Sequence, residues 1–272
     1  MDTTDTNESN EQLGSAEPET PQGEELSHSD KMIGLFTEPG KTFDAIAKLP
    51  PRTIDWLLPV IGFLVIVIIS NFILFQNPEI KLQFNEMLDK QVAEVEAKFD
   101  EKVQKGEMTE SEKEAALEQT RGGMKFMTGP IMRSVTAVVY TFIGLFFMAL
   151  VYFLLSKFAL KGEGSYSGTL IARGLPVYIL VVQVIVVAIL SMVMNKLLFD
   201  TSAASFLDTE KGTITSYLLG RIDPFAIWFY SVVGIGLAKM FKSDATVKFI
   251  IAVFAFWIVG DLILMELGMG FG

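Results

Sequence analysis

The chain has 272 residues, half of them hydrophobic, with a mean hydropathy of +0.42, one histidine and no cysteine. That composition excludes a disulfide framework, a thiolate nucleophile and a thiolate or histidine-cluster metal site, and it points to a membrane protein. The formal charge of −10 is local: nine acids (Asp2, Asp5, Glu8, Glu11, Glu17, Glu19, Glu24, Glu25, Asp30) and no lysine or arginine fall in residues 1–30, leaving about −1 elsewhere, which argues against a nucleic-acid partner.

Residues 1–30, rich in Thr, Ser, Glu, Asn and Pro, have too few apolar side chains to offset the entropy of ordering and read as a disordered acidic tail that includes His28. The start is acidic and the first apolar run does not begin until Trp56, so that run reads as an uncleaved anchor and not a signal peptide. In residues 31–55 the stretch "GLFTEPGKT" imitates a phosphate loop, but five residues separate Gly34 from Gly40, one too many, and Pro39 removes a donor. The same residues suit a helix start, with Thr37 as cap, Glu38 and Pro39 in the first turn, and a run to about Leu49 before Pro50 and Pro51. Phe36, Phe43, Ile46, Ala47 and Leu49 then share one side and Lys41, Asp44 and Lys48 the other. Such a helix belongs at the membrane surface, with Lys41, Lys48 and Arg52 meeting lipid headgroups, or is a connector with no lipid preference.

Residues 56–75 are uncharged for twenty positions, about 30 Å as a helix and enough to cross the hydrocarbon core. Segments 135–158 and 174–195 meet the same test, and 224–241 and 247–267 meet it less cleanly because they contain Lys239, Asp261 and Glu266. The expectation is five spans with the termini on opposite sides. Lys31, Lys41, Lys48, Arg52, Lys157, Lys161, Arg173, Lys239, Lys242 and Lys248 fall on one side, which places the N-terminus in the cytosol and the C-terminus outside once the long acidic segment on the other side is discounted.

That segment, 76–134, repeats apolar residues at Phe84, Leu88, Val92, Val95, Phe99 and Val103, with Glu94/Lys98 and Glu101/Lys105 four apart. Gly106 breaks the pattern, and Thr109 with Glu112 forms a capping box for a second helix. The result is a helical hairpin outside the membrane. Its apolar stripe packs on the second helix or the bilayer surface, or else on another copy or a partner helix.

"LFTEPGKTFDAIAKLP", "WLLPVIGF", "GEGSYSGTLIARGLPVY" and "IDPFAIWFYSVVGIGLAKMF" together resemble bacterial members of the Yip family, named for Ypt/Rab-interacting proteins, over roughly residues 32–267. The resemblance implies five spans with a cytosolic N-terminus. For eukaryotic relatives it implies a role in vesicle traffic through prenylated small GTPases and through one another. The family's Gly-Pro motif at the first span is matched here only by Asp55-Trp56-Leu57-Leu58-Pro59, and the long hairpin is an insertion. For bacterial members the resemblance implies a protein of the cytoplasmic membrane.

Within the spans, Gly234 and Ala238 make a small-x-x-x-small face for helix packing, since a dinucleotide fingerprint would need a strand and a third glycine. Asp261 lies about 9 Å from the outer end of the last span and should face protein. A hairpin of the last two spans puts Asp261 level with Trp228 and Asp223 level with Glu266, with Arg221 or Arg133 available to neutralise the acids. A structural ion pair or protonated carboxyl is the plainest reading. A transporter would use Asp261 with Gln183 and Asn71 as a polar relay. An intramembrane aspartyl protease would need a second facing Asp, and Ile258 replaces the first glycine of its motif. The composite expectation is an all-helical membrane bundle over 56–272 with a hairpin insertion, needing no cofactor or metal. It would act as a non-enzymatic scaffold or adaptor in the bilayer, with Tyr166, Leu88, Val95 and Phe99 offered to a protein partner or second copy.

Overall fold

The computed structural model describes residues 26–207 and 213–266, without the side chains of Leu264 and Glu266, and residues 1–25 of the expected tail lie outside them. Its elements are α1 (His28–Thr37), α2 (Pro39–Ala47), α3 (Ile54–Leu74), α4 (Pro78–Gln104), α5 (Glu110–Met127), α6 (Pro130–Leu154) with a π turn (Leu155–Ala159), α7 (Tyr166–Gly174), α8 (Val177–Met194), α9 (Ala203–Phe206), α10 (Ile214–Gly220), α11 (Pro224–Met240) and α12 (Thr246–Glu266). No strand occurs among the described residues.

The N-terminal region is more ordered than expected. His28 to Asp30, read as tail, form the first turn of α1, where the Ser27 hydroxyl accepts from Asp30 N at 3.1 Å. Thr37 is not a cap but the last residue of α1, its hydroxyl donating to Ile33 O at 3.1 Å. Pro39 explains both facts: it disfavours helical geometry at Glu38 (φ −142°, ψ 63°) and itself opens α2, where a missing N–H costs nothing. Phe43 and Ile46 of α2 are buried in the core, where α2 packs on α11, so α2 leaves only its polar side for a membrane surface.

Helices α3, α6 with its π turn, α7–α8 and α12 are each long and apolar enough to cross a bilayer. With 17 residues, α11 qualifies only together with α10, across a 64° bend. Four of the five expected spans are thus met by continuous helices, and the fifth is met if the bent α10–α11 pair counts as one span. Exposed apolar residues such as Phe72, Val139, Ile143, Phe147, Val193 and Ile251 line the outside, as lipid-facing surfaces require.

The hairpin forms as its local signals dictate. Gly106 (φ +70°) ends α4, and the Thr109/Glu112 capping box opens α5. The two helices are locked by Lys113 on Asp100 and by Arg121 near Glu96 at 3.7 Å, with Leu117 buried between them.

In the bundle, α11 is central and packs against α12, α2, α7 and α8, while α3 packs on α8 and α7. After α8 the chain turns at Asn195 (φ +48°) and runs back along it, with Leu198 N donating to the Ser191 hydroxyl at 3.3 Å and Thr201 reaching Gln183 at 3.4 Å. Gln183 lies eleven residues, or about 16 Å, short of the end of α8, and α11 starts at that level. Residues 195–201 thus return into the bundle to the level at which α11 starts.

Candidate functional site

Polar residues gather in three places. The first is where α1 meets the head of α3. Lys31 and Asp55, 4% and 2% exposed, form an ion pair of 2.8 Å. His28 shares a hydrogen bond of 2.7 Å with the Tyr178 hydroxyl on α8, and its Nδ1 lies 3.9 Å from Asp55. A cavity of about 270 Å³ opens beside them, with Arg52 on its wall. Burial holds His28 below the usual histidine value and Lys31 adds to this, against the opposing pull of Asp55. Sequence reasoning missed this cluster because it assigned His28 to the tail. The available signal was Asp55, an acid at the very head of an uncharged run.

The second place is the N-terminus of α11. The Asp223 carboxylate, 3% exposed, accepts five hydrogen bonds: Phe225 N (2.8 Å), Ala226 N (3.1 Å), Thr201 N (3.1 Å), the Thr201 hydroxyl (2.9 Å) and Gln183 Nε2 (2.9 Å). It is at once a helix cap and the tie between α8, the returning segment and α11. Asp223 sits beside Gln183, well inside the length of α8.

The third is the bend. Arg221 donates to Asp261, and its guanidinium lies over the rings of Tyr217 (4.8 Å) and Trp257 (5.2 Å). The α11–α12 pair matches Tyr230 with Trp257, stacked at 4.4 Å, which carries Asp261 past Trp228 to Arg221. The Glu266 side chain, expected level with Asp223, lies outside the described residues. Arg133 stands apart, stacked on Phe75 at 3.6 Å with Phe84 at 5.5 Å.

The expected relay does not assemble. Gln183 serves Asp223, Asn71 is exposed and donates to its own helix at Val67 O (2.9 Å), and Asp261 serves Arg221. Nor do two acids share a site as an aspartyl protease requires, since Asp223 and Asp261 are held by different partners. Among the described residues no group of three histidines or acids could hold a metal ion.

The remaining candidates are scattered. A Cβ on Gly234 would lie 2.7 Å from Ile250 Cα, so glycine sets the approach of α11 to α12, and Ala238 is fully buried in α11. Lys41 on α2 and Lys48 just beyond its end are exposed, Lys41 bonding Glu38 at 2.6 Å. Tyr166 is half-buried, its hydroxyl donating to Phe146 O at 3.1 Å and its ring against Phe153. Leu88, Val95 and Phe99 are half-buried on α4, which pairs with α5.

Among models of known families, the one described as the Yip1 domain matches residues 33–265. No curated protein and no solved structure matches the chain.

Proposed function

The chain belongs to the Yip1-domain family, and on that premise we propose that it is a non-enzymatic membrane scaffold or adaptor of the cytoplasmic membrane. In this reading α1, α2 and the lysines of α2 and of the 157–161 and 239–248 turns lie on the cytosolic side, where Lys41, Lys48 and Arg52 meet headgroups. The α4–α5 hairpin projects from the other side toward a partner or a second copy. One observation carries the reading. The acids of the spans are committed to structure, with Asp55 paired to Lys31, Asp223 capping and tying and Asp261 holding Arg221, so none of the three stands free for acid–base work.

The absence of cysteine permits a direct test of orientation, in which single cysteines at Lys48 and Lys98 label from opposite faces of sealed vesicles. Photo-crosslinkers at Ser167 and Lys98, both exposed, should each trap a defined partner or another copy. Labelling from one face, or no trapped species at either position, would defeat the scaffold reading.

The broken span favours a second reading, a small-solute or proton carrier. Carriers place an interrupted helix, with its N-terminus at depth, beside the transported species. Purified protein in liposomes separates the two. Flux abolished by Asp223→Asn or Asp261→Asn supports the carrier, and absence of flux supports the scaffold.

A further inference from the structure

Two turns at the same end of the bundle finish in the left-handed backbone region on a lysine: Lys161 (φ +55°), beyond the π turn, and Lys242 (φ +53°), beyond α11. Glycine takes this conformation with least strain, and the chain uses it in that way at Gly106. Each lysine therefore carries a backbone cost that glycine would remove. At Lys242, which lines a cavity, strain of this kind points to a use for the side chain.

Both turns border one cavity of about 510 Å³. Its lining includes the polar residues Lys157, Lys242, Glu163 and Ser165 and the apolar residues Leu49 and Met240. Glu163 is the single acid of the lining, while Lys48 and Lys161 stand exposed next to lining residues. Lys157 Nζ lies 5.2 Å from the centre of the Phe153 ring, and Lys239 is paired with Asp44 at 3.2 Å. The loop that shapes the cavity is fixed. Gly162 N donates to Ser156 O (2.9 Å), Glu163 N donates to Phe241 O (3.0 Å), and a Cβ on Gly164 would lie 2.6 Å from the Phe241 ring. A rigid pocket of this volume is of ligand size, larger than a bare phosphate needs. A lining that combines two lysines with apolar carbon suits a phosphate attached to a glycerol or acyl body.

We propose that this cavity binds a phosphate group, with Lys157 and Lys242 as its cations and Leu49 and Met240 against the attached carbon. The proposal extends the headgroup contacts put forward above but does not depend on them, because a soluble phosphate ester offers the same chemistry.

The test uses the full chain in neutral detergent, titrated with dioctanoyl phosphatidic acid, dioctanoyl phosphatidylcholine and inorganic phosphate, with melting temperature and affinity as readouts. Phosphatidic acid should raise the melting temperature, phosphatidylcholine should not, and added salt should weaken the effect. Competition by inorganic phosphate at matched concentration assigns the site to soluble phosphates, and its failure to compete assigns the site to lipid. Lys157→Ala and Lys242→Ala should each weaken binding about fivefold. Lys242→Gly is the sharper variant, because it should bind as weakly as Lys242→Ala while the unliganded protein melts about 1 to 3 °C higher. Wild-type affinity in both alanine variants overturns the proposal. So does a Lys242→Gly protein that melts lower than wild type, which would make this lysine a structural residue. Neither outcome bears on which side of the membrane the turns face, so failure here is distinct from failure of the scaffold reading.

Discussion

Replacing Asp223 should unsettle the bundle far more than its single charge suggests, and by different amounts for alanine and asparagine. Alanine removes the cap of α11, worth about 1 kcal/mol. It also strands three donors in a nearly dry site, namely Gln183 Nε2, Thr201 N and the Thr201 hydroxyl. At about 1 kcal/mol for each stranded donor, near the low end for such groups and typical of bonds between membrane helices, the total is about 4 kcal/mol. Asparagine keeps the oxygen that serves Phe225 N, Ala226 N and the Thr201 hydroxyl. Its amide nitrogen replaces the other oxygen, and a flip of the Gln183 amide can meet it, which leaves Thr201 N as the one orphan. That substitution should cost about 1 kcal/mol. Reversible unfolding in mixed micelles gives both numbers, and hydrogen exchange at the Thr201 amide reports the site directly. Equal costs for the two variants would refute the reasoning, because they would mean that the five bonds do not act as described.

Lys31→Ala strands the buried Asp55 carboxylate and should cost about 3 to 5 kcal/mol, whereas the double change Lys31→Met with Asp55→Leu should melt closer to wild type; a double variant as unstable as the single one would contradict the pair's role. Stability should fall as pH drops below about 6.5, because the unfolded chain then takes up a proton that the depressed His28 refuses; His28→Gln should flatten the melting temperature between pH 7.5 and 5.5, and an unchanged profile counts against it. Gly234→Ala should lower the melting temperature, since its Cβ meets backbone at 2.7 Å, while Gly144→Ala on α6, which meets nothing within 4 Å, should leave it level or raise it. Asp261→Asn should cost only about 1 kcal/mol, because Arg221 keeps its two ring partners; a loss as large as that of Asp223→Ala would give the bend a greater structural weight than its contacts imply.

The parts of the fold that local chemistry decides were legible from residue order. Gly106, the Thr109/Glu112 box and the apolar repeat of α4 lie within a few residues of what they control, and the hairpin follows from them. The spans were legible as lengths of apolar chain, but their depth was not. Hydropathy counted 224–241 as a span, a less clean one because of Lys239, and did not register that Asp223-Pro224 is a strong helix start and that α11 is short. What places that start inside the bundle is Thr201 and Gln183, 22 and 40 residues away, and no local pattern records such a contact. The Lys31–Asp55 pair was hidden for the same reason, its members being 24 residues apart. The misplaced cap at Thr37 is a different kind of error. Pro39 was weighed only as a good first residue for the helix it opens, when its stronger effect is on Glu38, where it ends the helix before.

In a bilayer, leaving lipid for another helix gains little hydrophobic free energy, so apolar faces alone do not say which helices pack. That difficulty is sharpest for α11, which is central yet only 17 residues long. Its position is set by contacts that lipid cannot imitate. Gly234 lets the backbone of α12 approach, Gly236 receives the Phe43 ring of α2, Asp44 reaches Lys239, and Asp223 binds α8 and the returning segment. Two of these four contacts join α11 to α2, which lies outside the spans. The N-terminal helices are therefore part of what centres α11, and they are more than an appendage to a finished bundle. Deleting residues 1–25 leaves all four of these contacts in place and serves as the control. Deleting 1–49 should loosen α11 itself, seen as faster hydrogen exchange at Val233 and Leu237, both buried in the core. Exchange at those two amides that is unchanged by the longer deletion would show that α8 and α12 suffice to hold α11, and that α1 and α2 merely cover it.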